Sequence, residues 1–243
     1  MSAILSLKNK GLLWEAQTNS QHSILAGKPL LPFGIPEISN STPHKGFPQG
    51  SINEWRCQDN FSPFSFFCLL AAEEVRNFDN YIAWIGEEVW PSPHYLFDSY
   101  ESQEIFNKSY FIKTESKDKK LWVLNQTLKT KGIGLIILQI DGLSIPTLKK
   151  FSLAAKENGS ILFLLRKQET ALQNACLLSR WEVNFVPELE SHPHYSLKLA
   201  YHKGYGANPL EWKICFKASK PEVIKDRPFA ETINSKELSR ITA

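Results

Sequence analysis

Residues 50–78, GSINEWRCQDNFSPFSFFCLLAAEEVRNF, constrain this chain more than any other stretch. Residues 51–57 read as a short strand, and a helix begins near Pro63. Ser62 suits the N-cap, where a side-chain oxygen takes up an orphan N–H. Pro63 suits the first helical position, where its missing N–H costs nothing. Phe64, Phe67, Cys68, Ala71, Ala72 and Val75 recur at helical spacing, while Phe66, Leu69 and Leu70 carry the apolar surface nearly all round. Such a helix has to be covered on most sides, so it needs a sheet beneath it and more chain around it.

The following stretches supply that cover. Residues 81–85 are apolar without polar alternation, which suits a strand buried on both faces. Residues 110–113 read as a strand. Residues 117–131 read as an amphipathic helix marked by Leu121, Leu124, Gln126 and Leu128 and stopped at Gly132. Residues 133–140 are the most hydrophobic strand. A helix over 144–158, capped by Ser144 and ended by Gly159, leads to a buried strand at 160–165. This alternation predicts a parallel sheet covered on both faces and joined by right-handed crossovers.

The last third changes character. After a short helix over 169–178, three segments alternate with period two. Trp181, Val183 and Phe185 share one face of the first. Tyr195, Leu197, Leu199 and Tyr201 share one face of the second, and Leu210, Trp212, Ile214 and Phe216 one face of the third. HKGYGANP joins the last two as a hairpin. One-faced alternation suits antiparallel strands at a sheet edge. The expected fold class is α/β: a three-layer α/β/α arrangement with a mainly parallel sheet and antiparallel C-terminal edge strands. Residues 1–49 are expected as a lead-in with a short helix around 13–18 and the turn-rich run PFGIPEISNSTPHKGFPQG. Residues 50–218 form the main domain and 219–243 a flexible polar tail.

Composition removes several classes of function. With 243 residues the chain can bury a substantial core, and a net charge of +3 is too small to argue for nucleic acid by itself. Cys57, Cys68, Cys176 and Cys215 contain no CxxC pair and read as reduced core thiols. His192 and His194 stand two apart without a nearby acid or thiol pair, which argues against a metal. The start, MSAILSLKNKGLLWEAQ, has neither the apolar core nor the cleavage site of a signal peptide, and no run approaches the ~18 apolar residues that cross a bilayer. A cytoplasmic protein without membrane contact is expected.

A strand, a tight loop, a buried helix, a βαβα core and terminal antiparallel strands together resemble the RecA-like P-loop NTPase fold. Within it, the chain resembles the ImuA family, RecA-like accessory proteins of bacterial translesion synthesis, and the related SulA cell-division inhibitors. The likeness covers residues 45–217. Its most specific piece is LWVLNQTLKTKGIGLIILQIDGLSIPTLKKFSLAAKENGSILFLLRK, residues 121–167, with Gln126 and Leu128 before the strand and Leu153-Ala154-Ala155 after it. The approach GFPQGSINEW is similar to the family's glycine-led entry to its first strand. The resemblance implies a non-catalytic RecA-like protein of the DNA-damage (SOS) response. Such a protein would be an accessory factor bridging a Y-family polymerase-like, ImuB-like partner and an error-prone replicative-type polymerase to RecA. Alternatives are a SulA-like inhibitor that binds FtsZ and a weak or atypical ATPase. The aromatic-rich stretch 47–67 and the tail after Ser219 are candidate docking elements.

Against a working P-loop the chain departs residue by residue. Glycine amides must close around phosphate, a Lys must reach the terminal phosphates, and a Ser/Thr must hold magnesium. Aligned from Glu54, the two glycines fall on Cys57 and Ser62, the Lys on Pro63 and the Ser/Thr on Phe64. No lysine lies between Lys45 and Lys108, and Asp59 puts a negative charge where phosphate would sit. The resemblance thus implies no cofactor and no catalytic residue. Glu88 and Asp141 fall near a RecA-type catalytic glutamate and Walker B aspartate, with Gln139 competing for the second register. They read as remnants of such a site or as ordinary loop acids. The strand ending at Arg166 lacks the Asn-Gln pair with which RecA senses nucleotide. Lys149, Lys150, Lys156, Arg166 and Lys167 are candidates for a basic patch making weak phosphate contacts with DNA, or for a solvated helix face.

Overall fold

The computed structural model describes residues 29–57, 64–87, 89, 100–167, 176–186, 194–205, 209–217 and 220–224. Its centre is a sheet whose strands are β3 (Ile52–Cys57), β4 (Tyr81–Gly86), β5 (Ser109–Lys113), β6 (Ile133–Gln139), β7 (Ile161–Lys167), β8 (Ser179–Val186), β9 (His194–His202), β10 (Leu210–Lys217) and β11 (Lys220–Ile224). They lie in the order β11-β10-β9-β8-β3-β7-β6-β4-β5. From β5 to β8 every neighbour is parallel; β8, β9, β10 and β11 pair antiparallel. This is the mostly parallel α/β sheet with antiparallel edge strands expected from the pattern, and it is compatible with three layers.

The helices divide between the two faces as the crossovers require. The chain moves along the sheet in one direction through α2 (Phe64–Phe78) and α3 (Tyr100–Asn107), and returns through α4 (Lys117–Thr127) and α5 (Ile145–Asn158). Right-handed connections then put the first pair on one face and the second on the other. Phe66, Phe67, Leu70, Ala71 and Val75 of α2 and Ile105 of α3 join one core, together with Trp55, Trp84, Ile137 and Phe163 of the strands. Leu124 of α4 and Leu148, Phe151 and Ala155 of α5 join the other, with Ile52, Ala83, Ile136, Leu138, Leu162 and Leu164.

Segment 29–49 forms β1 (Leu30–Leu31), α1 (Pro36–Ser41) and β2 (Phe47–Pro48), with β1 and β2 paired antiparallel. This lead-in belongs to the core, since Leu31, Phe33, Ile35, Ile38 and Phe47 are all buried in the cluster around Trp55. Trp55 stacks on Trp181 at 5.7 Å and meets Phe67 edge-on at 5.3 Å. The aromatic residues Phe47, Trp55, Phe66 and Phe67 are therefore packing, and the stretch 47–67 offers no docking surface through them.

Several local signals read as expected. Ser144 Oγ accepts from the Thr147 N–H at 3.3 Å, and Gly159 ends α5 with φ 75°. Others differ. Helix α4 stops at Thr127 rather than 131, because Lys129 and Thr130 bond back three residues, to Gln126 and Thr127, and tighten the chain out of the α register. Helix α3 was not foreseen, since only Ile105 is buried among residues 103–107. Strand β11 takes the first residues of the expected tail into the sheet. The register between β8 and β9 shifts after Arg180, so Tyr201 turns away from Tyr195, Leu197 and Leu199 and packs on the opposite face. Residues 13–18, most of the helix expected over 169–178, and everything after 224 lie outside the described residues.

Candidate functional site

Strand β3 is flanked by β7 and β8, and chain order reverses across it. In open α/β sheets ligands bind outside the carboxyl ends of strands at such a switch point. The residues there are therefore the candidate site, and they are mostly charged.

Strand alternation aims Ile52, Glu54 and Arg56 at the α4–α5 face while Trp55 and Cys57 face α2. In register, Glu54 lies between Leu164 of β7 and Arg180 of β8, and Arg56 lies between Arg166 and Glu182. Three guanidiniums converge on the fully buried Glu54 carboxylate. Arg166 Nη1 donates to Oε1 at 3.3 Å, Arg180 Nε donates to Oε2, and Arg56 Nε stands 3.5 Å from Oε1. The Arg166 side chain is 2% exposed, against 12% for Arg56 and 13% for Arg180. Burial is the main cause lowering the Arg166 pKa, with Arg56 and Arg180 pushing the same way; Glu54 and Asp141 oppose it. Tyr201, brought to this face by the register shift, has its phenol pKa raised by burial, with Arg180 acting in the opposite direction.

Asp141 follows β6, half exposed, with Oδ1 3.9 Å from Arg166 Nε. Gln139 ends β6 and its Oε1 accepts from the Glu87 N–H at 3.2 Å. Glu87 in turn pairs with the buried Lys120 of α4 at 3.0 Å, and Lys117 Nζ donates to the Gly142 carbonyl at 2.6 Å. The carboxyl ends of β3, β4, β6 and β7 are thus tied together by side-chain hydrogen bonds and ion pairs. Among the described residues no group of three or more His, Cys, Asp or Glu is placed to hold a metal ion.

The residues singled out in the sequence meet only in part. Cys57 closes β3, buried on the α2 face with its thiol pKa pushed up by desolvation. Phe64 opens α2, while Ser62, Pro63, Asp59 and Glu88 lie outside the described residues. Asp141 and Arg166 do come together. The five basic residues do not form one patch. Lys149, Lys150 and Lys156 are exposed on α5, but a Cβ on Gly50, ahead of β3, would lie only 2.9 Å from Lys156 Cα. Lys156 is therefore at the amino end of the sheet, opposite the end that Lys167 and Arg166 occupy, and Arg166 is turned inward. Sequence reading missed Glu54, Arg56, Arg180, Glu87 and Lys120 as site residues. A charge inside an apolar strand, as in INEWRC and LFLLRK, was the available signal.

No protein-family model and no curated protein sequence matches this chain. No helix among the described residues is long and apolar enough to cross a membrane.

Proposed function

We propose that this chain is a non-catalytic, RecA-like accessory factor of the bacterial DNA-damage response. In this reading it bridges an error-prone, Y-family polymerase complex to RecA through its outer surfaces. The observation that carries the reading is the switch-point strand β3. It sits where a P-loop protein of this layout would bind nucleotide, yet its sequence continues as QDNFSPF, without the glycines, lysine or hydroxyl that phosphate and magnesium need. In place of a phosphate cradle, the strand's own Glu54 is sealed by three arginines. A stable α/β scaffold without a P-loop is retained for its surfaces.

Affinity capture with the tagged full-length chain from damaged bacterial cells tests the assignment. Recovery of a Y-family polymerase-like protein or RecA supports it. Recovery of FtsZ alone sinks it in favour of a SulA-like inhibitor. Micromolar binding of ATP with magnesium in a calorimetric titration would revive the ATPase reading.

A further inference from the structure

Arg166 holds a donor that pairs by charge with Asp141 but makes no hydrogen bond among the described residues. Its Nε–H is buried and has no hydrogen-bond acceptor among the described residues, although Nη1 of the same guanidinium is bonded to Glu54. The carboxylate on that side, Asp141, stands at 3.9 Å and is half exposed. A buried cation with an unbonded donor has lost its water without a full replacement, and such a group calls for an acceptor. A second guanidinium, Arg56, occupies the directly opposed position on β3. Burial and its two arginine neighbours all act to destabilise the Arg166 cation.

We propose that the carboxyl ends of β3 and β7 bind a phosphate-type oxoanion. Arg166 Nε–H and the Arg56 guanidinium hold it, and Asp141 stands in its approach until the anion displaces it. No covalent bond changes. The donors come from two neighbouring strands, about 4.8 Å apart. A tetrahedral oxoanion carries acceptors in enough directions to reach both, and guanidiniums bind phosphate oxygens through strong charge-assisted hydrogen bonds. The arrangement is unlike a P-loop cradle: guanidiniums replace backbone amides, and the site lies on the α4–α5 face, away from α2. It stands whether or not the accessory-factor reading does, and failure of one leaves the other intact. The phosphate could be free or mononucleotide-borne, or part of a nucleic-acid backbone.

The test uses the full-length ¹⁵N-labelled protein in phosphate-free buffer, following arginine Nε–Hε resonances by NMR. The Arg166 signal is identified by its loss in Arg166→Lys. Titrated inorganic phosphate is expected to move it saturably. Asp141→Asn should tighten binding about tenfold by removing the competing charge, and Arg166→Lys should weaken it at least tenfold. Parallel titrations with a mononucleotide and with a single-stranded oligonucleotide lacking terminal phosphates name the source. No saturable shift up to about 10 mM phosphate, or an affinity unchanged in Asp141→Asn, overturns the site. If Arg166→Lys fails to fold, the comparison of Asp141→Asn with the parent chain decides alone, because Asp141 lies at the surface.

Discussion

Replacing Glu54 by Gln keeps the size of the side chain and removes the one charge that the arginine cluster shares. Glu54 is fully buried, and the guanidinium it leaves behind, Arg166, is 2% exposed, with Asp141 at 3.9 Å the other acid paired with it among the described residues. Removing one partner of a buried pair costs about 3–5 kcal/mol, because the other charge stays desolvated. Arg56 and Arg180, at 12% and 13% exposure, keep some contact with water and add little. At about 2–4 °C per kcal/mol for a chain of this size, the melting temperature should fall by roughly 10 °C. Urea unfolding followed by far-UV circular dichroism measures the loss directly, with the denaturant slope unchanged. The double variant Glu54→Met/Arg166→Met should recover at least about 2 kcal/mol relative to the sum of its single variants. A loss under about 1 kcal/mol in Glu54→Gln, or strict additivity in the double variant, would refute the idea that this cluster ties β3 to β7 and β8.

Three further outcomes follow from other buried groups. Glu74 of α2 is buried, with its pKa raised by desolvation and only partly offset by the hydrogen bond from Asn80. Its stabilising contribution is complete below the unfolded carboxyl pKa and is lost as pH rises through the folded one. Glu74→Gln should therefore flatten stability against pH on the alkaline side of about 4.3, and an unchanged slope in urea titrations would count against this. Gly134 of β6 faces the same carboxyl: a Cβ there would lie 1.8 Å from Glu74 Oε1 and 2.5 Å from Asn80 Nδ2. Gly134→Ala should cost about 3 kcal/mol, and shortening Glu74 to Ala in the same chain should return part of it. Finally, Cys57, Cys68 and Cys215 are buried, with the Cys68 thiol pKa pushed up to about 12, whereas Cys176 is half-buried. Iodoacetamide at pH 8 should label Cys176 well ahead of the others in the native protein, as read by peptide mass spectrometry.

Elements whose evidence is local could be read without the fold. The strand 81–85, the hydrophobic strand after Gly132, and α5 between Ser144 and Gly159 each carry their own period and caps, and all are present with small changes of boundary. Elements that lack a local period were missed or misread. Helix α3 exposes Phe106 and buries Ile105, so no apolar stripe announces it. The face of Tyr201 depends on a register shift between two strands, which period-two counting along one strand cannot detect. Strand β11 begins Lys-Pro and is held by pairing with β10 on the outer edge of the sheet, the position where a strand proline is tolerated.

The amino-acid sequence by itself determined the alternation of strands and helices, the antiparallel end of the sheet and the lack of P-loop glycines and lysine after β3. These are properties of neighbouring residues, and a chain displays them before it folds. The charged site was decided only by tertiary structure. Glu54 meets Arg166 and Arg180 across 112 and 126 residues of sequence, and the same topology separates Lys156 from Arg166, which the sequence had grouped. Sheet order sets which charges share a face and an end, and burial then decides which of them must be answered.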